Sequence, residues 1–383
     1  MITPKTYTAT QCLFVLLSFL LVNIGCKKDL GSDPVSSSSQ EVSKAFNGKA
    51  GGKDFLATNL VADVHKYHPQ FIDPNLVNAW GIAFGPTGGI WVSAAEKGLS
   101  TIYDKTGKTL RDPVSIPFQK DPRGGNPTGQ VYNPTEVFRI PSTGQVSKFI
   151  FVTENGTIAA WAGGSNAITV VDRSEDEVVY KGLTMAMYND SWFLFATDFH
   201  NGKVDVYDQN FNYVSDKYGS FRDDDMPAGY APFNIKSIGE ALVVTYAKQL
   251  APNNEDDEAG PGNGYINIFN IDGSLLRRFA SRGTLNSPWG IEVMLDGFTN
   301  GPEFKTRNIL IGNFGDGRIN VFDSGGNFLG QLYNHGKAVE IEGLWALSYP
   351  PNTPAYSDVL NRLYFTAGPD NEEHGVFGYI TSQ

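Results

Sequence analysis

The chain has 383 residues, a net charge of −11 and only two cysteines, so its fold needs no disulfide framework. Its 42 glycines and 21 prolines exclude a helical bundle, and its 25 Phe, 17 Tyr and 6 Trp exclude a disordered chain. The acidic balance argues against a nucleic-acid partner, because a phosphate backbone is bound by a face rich in Lys and Arg.

The N-terminal segment has the pattern of an export signal. Lys5 is the only charge before an apolar run over residues 12–24, which is typical of a signal peptide and short for a membrane span. An uncleaved signal anchor is the alternative. Ile24-Gly25-Cys26 resembles the lipobox of bacterial lipoproteins, which predicts removal of residues 1–25 and a lipid on Cys26 that anchors the protein in the membrane. A free thiol at Cys26 is the alternative there. Residues 26–52 read as a flexible tether, and the predicted location is the bacterial cell envelope.

The rest of the sequence, residues 53–383, repeats one unit six times. An apolar strand entered from a loop recurs at intervals of 48 to 57 residues, and a glycine that opens an alternating strand recurs at intervals of 46 to 62 residues. The first marker is centred on Trp80, Val137, Met185, Phe233, Trp289 and Trp345. The second is Gly98, Gly156, Gly202, Gly264, Gly317 and Gly375.

Each unit is predicted to hold four antiparallel strands. Between the two markers lies an almost wholly apolar strand, such as 149–153 or 363–367, which indicates that both of its faces are covered. A weaker fourth strand follows, as in 326–332, and glycine-containing turns at 104–107, 272–273 and 324–326 join hairpins. The pattern predicts an all-β fold, a six-bladed β-propeller.

The last unit lacks a fourth strand after Tyr379. Residues 55–61 precede the first unit and have the composition of a strand. We expect this N-terminal strand to complete the last blade, which would close the ring and remove its exposed edges.

The motifs at 78–82, 149–161, 231–235, 287–291, 312–320, 343–347 and 363–369 resemble an uncharacterised family of exported bacterial β-propeller proteins, some of which carry a C-terminal sorting segment. The resemblance runs from about residue 57 to residue 380. It implies the fold and export but no activity, so it assigns no catalytic residue. More distantly, the sequence is similar to NHL-type propellers and to six-bladed lactonases.

Polar side chains in the loops around the predicted channel are candidates for a site. Carboxylate and amide oxygens from several blades could hold a cation such as Ca²⁺, and such a metal could polarise a carbonyl and activate water. The alternative is that Asn and Asp cap strand ends and turns. The candidate metal ligands are Glu136, Asn234, Asn78, Asn313 and Asp198. The candidate ligand-binding residues are Trp80, Trp289, Trp345, Glu154, Asp316 and His374.

Other catalytic signatures are weak. The sequence has no Gly-x-Ser-x-Gly elbow, and no cysteine would remain for catalysis after export. The acidic run 255–258 reads as a solvated loop, with a calcium loop as its alternative. Three functions therefore stay open: a lipid-anchored module that binds a small molecule, glycan or protein, a calcium-dependent lactonase-like hydrolase, and a purely structural envelope component.

Overall fold

The computed structural model describes residues 54–218, 220–295 and 308–383. The predicted signal peptide, the lipidation site Cys26 and the tether 26–52 lie outside the described residues. The described chain forms six antiparallel blades in a ring, which confirms the predicted six-bladed β-propeller.

The strands follow one another blade by blade. The N-terminal strands are β1 (Phe55–Ala62) and β2 (Phe71–Ile72). Blade one contains β3 (Ala79–Phe84), β4 (Ile90–Ala94), β5 (Leu99–Tyr103) and β6 (Thr109–Ser115). Blade two contains β7 (Pro127–Tyr132), β8 (Phe149–Thr153), β9 (Thr157–Trp161) and β10 (Ile168–Asp172). Blade three contains β11 (Tyr180–Tyr188), β12 (Ser191–Asp198) and β13 (Lys203–Asp208).

The second half of the ring has the same order. Blade four contains β14 (Tyr230–Ile238), β15 (Ala241–Lys248), β16 (Gly264–Asn270) and β17 (Leu275–Ser281). Blade five contains β18 (Pro288–Val293), β19 (Ile309–Asn313), β20 (Ile319–Phe322) and β21 (Phe328–Gln331). A short hairpin follows, β22 (Tyr333–Asn334) and β23 (Lys337–Ala338). Blade six contains β24 (Leu344–Ser348), β25 (Leu363–Ala367) and β26 (Val376–Ser382).

Helical structure in the described ranges is limited to short 3-10 turns. They span His65–Tyr67, Ala95–Lys97, Ser174–Asp176 and Ser215–Lys217. No helix among the described residues has the length and apolar character needed to cross a membrane.

The N-terminal strand closes the ring, as the sequence predicted. β1 pairs antiparallel with β26, so that Phe55 lies opposite Ser382 and Ala57 lies opposite Ile380. β1 therefore occupies the fourth position of blade six, and the first and last segments of the propeller are held together by main-chain hydrogen bonds.

Two blades differ from the sequence expectation. In blade two the innermost strand was predicted around Val137, but β7 spans 127–132 and residues 133–148 form the following loop. The prediction was wrong because β7 contains Thr, Gly and Gln and is less apolar than the loop segment 135–139. In blade three the outermost position is reduced to an isolated bridge between Tyr207 and Tyr213.

The innermost strands share one local geometry. Each has a register shift near its start, at or directly before a small residue in five blades and directly before Asn234 in blade four. A Cβ on Gly81 would lie 2.5 Å from the Thr128 carbonyl oxygen, and one on Gly129 would lie 2.5 Å from the Leu183 nitrogen. Glycine is therefore required where the innermost strands of blades one and two approach the next blade.

Side chains also bond the innermost strands to one another. The Thr128 hydroxyl donates to the Tyr180 carbonyl at 2.8 Å, and the Asn234 amide donates to the Trp289 carbonyl at 2.7 Å. These bonds satisfy main-chain carbonyls that face the neighbouring blade rather than a strand partner.

The apolar core is divided by the blades. Six clusters of buried side chains lie between neighbouring blades, and a seventh lies at the centre of the ring. The seventh cluster positions the candidate site described below.

Strand β1 offers a matched test of ring closure. Leu60 is 1% exposed in the cluster between blades six and one, whereas Leu56 on the same strand is 40% exposed. Leu60→Ala should lower the free energy of unfolding by about 2 to 5 kcal/mol, because it leaves a cavity. Leu56→Ala should change it by less than about 0.5 kcal/mol. Urea denaturation measures both, and equal effects would mean that β1 does not contribute to the folded ring.

Candidate functional site

An aromatic cluster fills the centre of the ring near the face where the innermost strands begin, here called the top face. Trp80 stacks on Trp345 with ring centroids 3.4 Å apart, and Trp289 meets both rings edge-on at 5.7 and 6.0 Å. Phe314 stacks on the Trp345 ring at 3.9 Å, and Phe233 lies 5.9 Å from it. The three tryptophans singled out in the sequence therefore meet, and they pack against one another. A role in stacking on a ligand stays a prediction.

A lysine shares the position of these aromatic residues. Lys181 is the second residue of β11, as Trp80 is of β3 and Trp289 is of β18. Its side chain is only 3% exposed, and its ammonium lies 5.2 Å from the Trp80 ring centroid. It pairs with the Glu154 carboxylate and lies 3.6 Å from Asp256 Oδ1.

A strained turn brings a further carboxyl group towards this lysine. Asp370, Asn371 and Glu372 have φ values of 55°, 53° and 69°, three successive left-handed residues of which none is glycine. Such a conformation costs about 1 to 2 kcal/mol per residue, so surrounding contacts must hold it. Glu372 Oε2 accepts a hydrogen bond from Asn78 Nδ2, and Asn78 Oδ1 accepts one from Trp345 Nε1 at 3.0 Å.

Lys181 and the carboxyl groups around it lie close together and are partly shielded from water, which shifts their pKa values. Burial and the nearby Glu154 raise the pKa of Glu372 to about 7, against the opposing effect of Lys181. Burial would lower the pKa of Lys181, but Glu154 and Asp256 outweigh it and raise that pKa. Burial and Glu154 also raise the pKa of Glu96. A carboxyl that titrates near neutral pH is typical of functional sites.

A pocket of about 540 Å³ opens beside this group on the top face. Its walls come from the loops of blades two, three and four, and Glu154 and Asp256 are shared with the lysine. Glu177 and Glu255 add two more carboxylates. The basic residue Lys120 also lines the pocket, but it is paired with Glu175. The pocket is therefore electronegative.

The predicted metal ligands lie in different places. Glu136 is exposed in the loop after β7, on the face opposite the top face. Asn78, Asp198 and Asn313 lie at top-face ends of strands, and Asn234 lies within β14.

Apart from exposed Glu136, the predicted metal ligands have side-chain oxygens that already accept hydrogen bonds. Asp198 Oδ1 accepts from the Val179 nitrogen and Asn313 Oδ1 from the Asn286 nitrogen, which are capping contacts. Asn234 Oδ1 accepts from the Ile235 nitrogen. Among the described residues, no three His, Cys, Asp or Glu side chains are placed to hold a metal ion. The calcium site stays a prediction.

The remaining predicted ligand-binding residues have structural partners. Asp316 accepts a hydrogen bond from Asn313 at 3.0 Å. His374 Nδ1 lies 2.7 Å from the buried Asp63 carboxylate, which fixes the ring beside Tyr67. Glu154 is the one that the structure brings together with the aromatic cluster, through Lys181.

Sequence reasoning missed Lys181 and Glu372. The signal for Lys181 was its position, because it stands where other repeats have an aromatic residue before the small residue. Glu372 had no comparable signal, because the loop sequence contains no glycine that would predict the left-handed turn that positions it.

Comparison with known proteins identifies relatives but no activity. No protein-family model matches the chain. Two uncharacterized proteins of Acanthamoeba polyphaga mimivirus are 33% and 36% identical to it over 322 and 327 residues. These alignments cover 80% of this chain and 76% and 81% of the relatives. The chain belongs to their family.

Solved structures with a similar fold are more distant. A streptogramin B lyase has a TM-score of 0.50 and 11% identity, covering 87% of this chain and 98% of the lyase. A gluconolactonase from Xanthomonas campestris has a TM-score of 0.49 and 14% identity, covering 81% of this chain and 87% of that enzyme. At this identity the likeness to the lyase supports the propeller fold alone.

The ionisation of Glu372 should be visible in stability. Its pKa rises from an ordinary 4.5 to about 7 on folding, so the folded chain holds the proton more tightly. The free energy of unfolding therefore falls as the pH rises from about 4.5 to 7. Glu372→Gln, which keeps an acceptor for Asn78, should be more stable than the parent by about 1 to 3 kcal/mol at pH 8 and equal to it near pH 4.

Chemical denaturation at the two pH values measures the difference. Glu373→Gln is the control, because Glu373 is the exposed neighbour in the same turn. A Glu372→Gln effect that is the same at both pH values would contradict a carboxyl that titrates between them.

Proposed function

We propose that the protein is a ligand-binding β-propeller that takes a small organic cation at the top-face mouth of its channel. The observation that carries this proposal is the buried Lys181 with carboxylates from three other parts of the ring around it. Burial of charge is costly and is seldom retained for stability, because an apolar pair of similar size stabilises a core at least as well.

The chemistry of the mouth favours a positive ligand. Lys181 already places an ammonium group between the Glu154 carboxylate and the Trp80 ring, a combination that binds cations. The adjoining pocket adds Glu177, Glu255 and Asp256 without an unpaired lysine among its described lining residues. A cationic ligand would neutralise this excess, whereas an anionic ligand would increase it.

Two other roles were open from the sequence. A calcium-dependent hydrolase needs oxygen ligands that converge, and a structural component needs no open site. We prefer the binding role because the pocket adjoins the ion-pair network of Lys181 and shares Glu154 and Asp256 with it.

We also propose export and a lipid anchor, with the propeller held at a bacterial membrane through Cys26. The support is the N-terminal sequence: an apolar run, the Ile24-Gly25-Cys26 motif and a polar stretch up to the start of β1.

Calorimetric titration with putrescine tests the cation proposal. The parent protein should bind it, and Asp256→Asn and Glu255→Gln should each weaken binding about three- to tenfold, since a charge near the ligand contributes about 0.5 to 1.5 kcal/mol. Asp224→Asn is the matched control, because Asp224 is exposed outside the pocket and its loss changes the net charge equally. An equal loss with the control would mean that putrescine responds to net charge, not to a site.

The affinity should also depend on pH. Because the pKa of Glu372 is about 7, this group gains its charge between pH 6 and pH 8 and attracts a cation only when ionised. Putrescine binding should strengthen over this range, and the pH dependence should be weaker in Glu372→Gln. The same titration series measures both, and binding that weakens as the pH rises would contradict the proposed site.

Mass spectrometry tests the anchor. Protein extracted from cell membranes should begin at Cys26 and carry acyl chains. Cys26→Ser should move it from the membrane to the soluble fraction, since only the acyl chains hold it there. A lipid-free N terminus would overturn the anchor while leaving the cation site unaffected.

A further inference from the structure

The channel contains a second cavity below the aromatic cluster, at the end opposite the top face. Its volume is about 280 Å³, near the lower end of the range of about 300 to 1,000 Å³ for small-molecule sites. The innermost strands of all six blades line it. We propose that it binds an uncharged, mainly apolar molecule through a carbonyl-type oxygen.

The position of charge on the innermost strands points to this cavity. The six strands carry three charged residues in all: Lys181 at the top, and Lys236 and Glu292 below. Lys236 and Glu292 occupy corresponding positions on β14 and β18, three residues after Phe233 and Trp289. Thr184 and Ser348 occupy the same position on β11 and β24, so one side of the lower channel is polar.

The acceptor atoms of this wall are already engaged. Glu292 Oε2 accepts from Lys236 Nζ at 2.7 Å and from the Tyr349 nitrogen at 3.1 Å, and Oε1 accepts from the Val293 nitrogen. The Gln130 amide donates to the Gly81 and Trp91 carbonyls, and its oxygen accepts from Ser100. An occupant would find few acceptors for its own donors.

Donors, in contrast, are available. Lys236 uses one of its three N–H groups on Glu292. The Thr184 oxygen accepts from the Ser237 nitrogen, and its hydroxyl hydrogen is left to donate. Both Lys236 and Thr184 line the cavity, so their free N–H and O–H groups are within reach of an occupant.

These observations define the ligand class. Free donors with few free acceptors select a ligand that has acceptor oxygens and few donors. The Lys236–Glu292 pair is neutral as a unit, so a net charge on the ligand would be poorly balanced. The remaining wall, which includes Ile82, Ile235, Ile291 and Leu347, is apolar. A ketone, ester or amide on an apolar body meets all three conditions.

The test uses prodan, an uncharged naphthyl ketone whose fluorescence shifts to the blue in apolar surroundings, on the full folded chain. The parent should give a saturable blue shift. Ser348→Phe, which fills the cavity, should weaken binding at least about tenfold. Ser142→Phe, in an exposed loop away from the cavity, should leave it unchanged. A parent without a blue shift, or equal binding in Ser348→Phe, would overturn the proposal.

A smaller change tests the hydrogen-bonding argument separately from the folding of Ser348→Phe. Thr184→Val keeps most of the side-chain volume and removes one donor. It should weaken prodan binding about fivefold, the loss of one hydrogen bond of about 1 kcal/mol. The anionic dye anilinonaphthalene sulfonate should bind more weakly than prodan. Unchanged binding in Thr184→Val, or a preference for the anion, would contradict the proposed ligand class.

Discussion

The close approach of the six innermost strands is the constraint on which the rest of the structure depends. It is possible because each strand has a small or medium-sized residue at the same position. This residue is glycine in blades one, two, three and five, Asn234 in blade four and Ala346 in blade six. A Cβ on Gly182 would lie 2.4 Å from Asn234 Oδ1. Because the strands come this close, the residues one position earlier meet at the centre of the ring.

This contact determines what kind of channel the propeller has. The residues before the small position are aromatic in four blades, and their rings fill the centre. The aromatic cluster thereby divides the channel into a top mouth and a separate lower cavity. Lys181 takes the same position in blade three, so its ammonium is held at the boundary of the top mouth rather than in solvent. Its carboxylate partners follow from this placement, since an unpaired buried charge would destabilise the fold.

Much of the fold could be predicted from the sequence because propeller blades repeat their burial pattern. Apolar second strands such as β8 and β25 are covered on both faces, and four of the six glycines that open third strands have positive φ, among them Gly156 and Gly317. The error in blade two has a physical cause: β7 borders the channel, where Thr128 and Gln130 serve as hydrogen-bonding groups to neighbouring blades. A polar strand of this kind is less apparent in a hydrophobicity pattern than the loop that follows it.

The candidate site was less predictable because its chemistry depends on the path of loops. Asn78 was expected to present oxygen to a cation, yet its amide joins Trp345 to Glu372 across blade six. Glu372 reaches this position through three left-handed residues, a conformation that no residue type in the segment demands. The residue types indicated that polar groups surround the mouth, but only the three-dimensional contacts show which of them form ion pairs or hydrogen bonds with one another.

The two ends of the channel therefore differ in a way that one repeated unit would not suggest. At the top, one ammonium group faces several carboxyl groups, and charge is left over for a ligand to balance. Below, Lys236 and Glu292 cancel each other, and the free groups are hydrogen-bond donors. The difference depends on three charged residues, Lys181, Lys236 and Glu292, in an otherwise uncharged set of innermost strands. The six blades share one backbone arrangement, and these single residues in blades three, four and five determine what each end of the channel can bind.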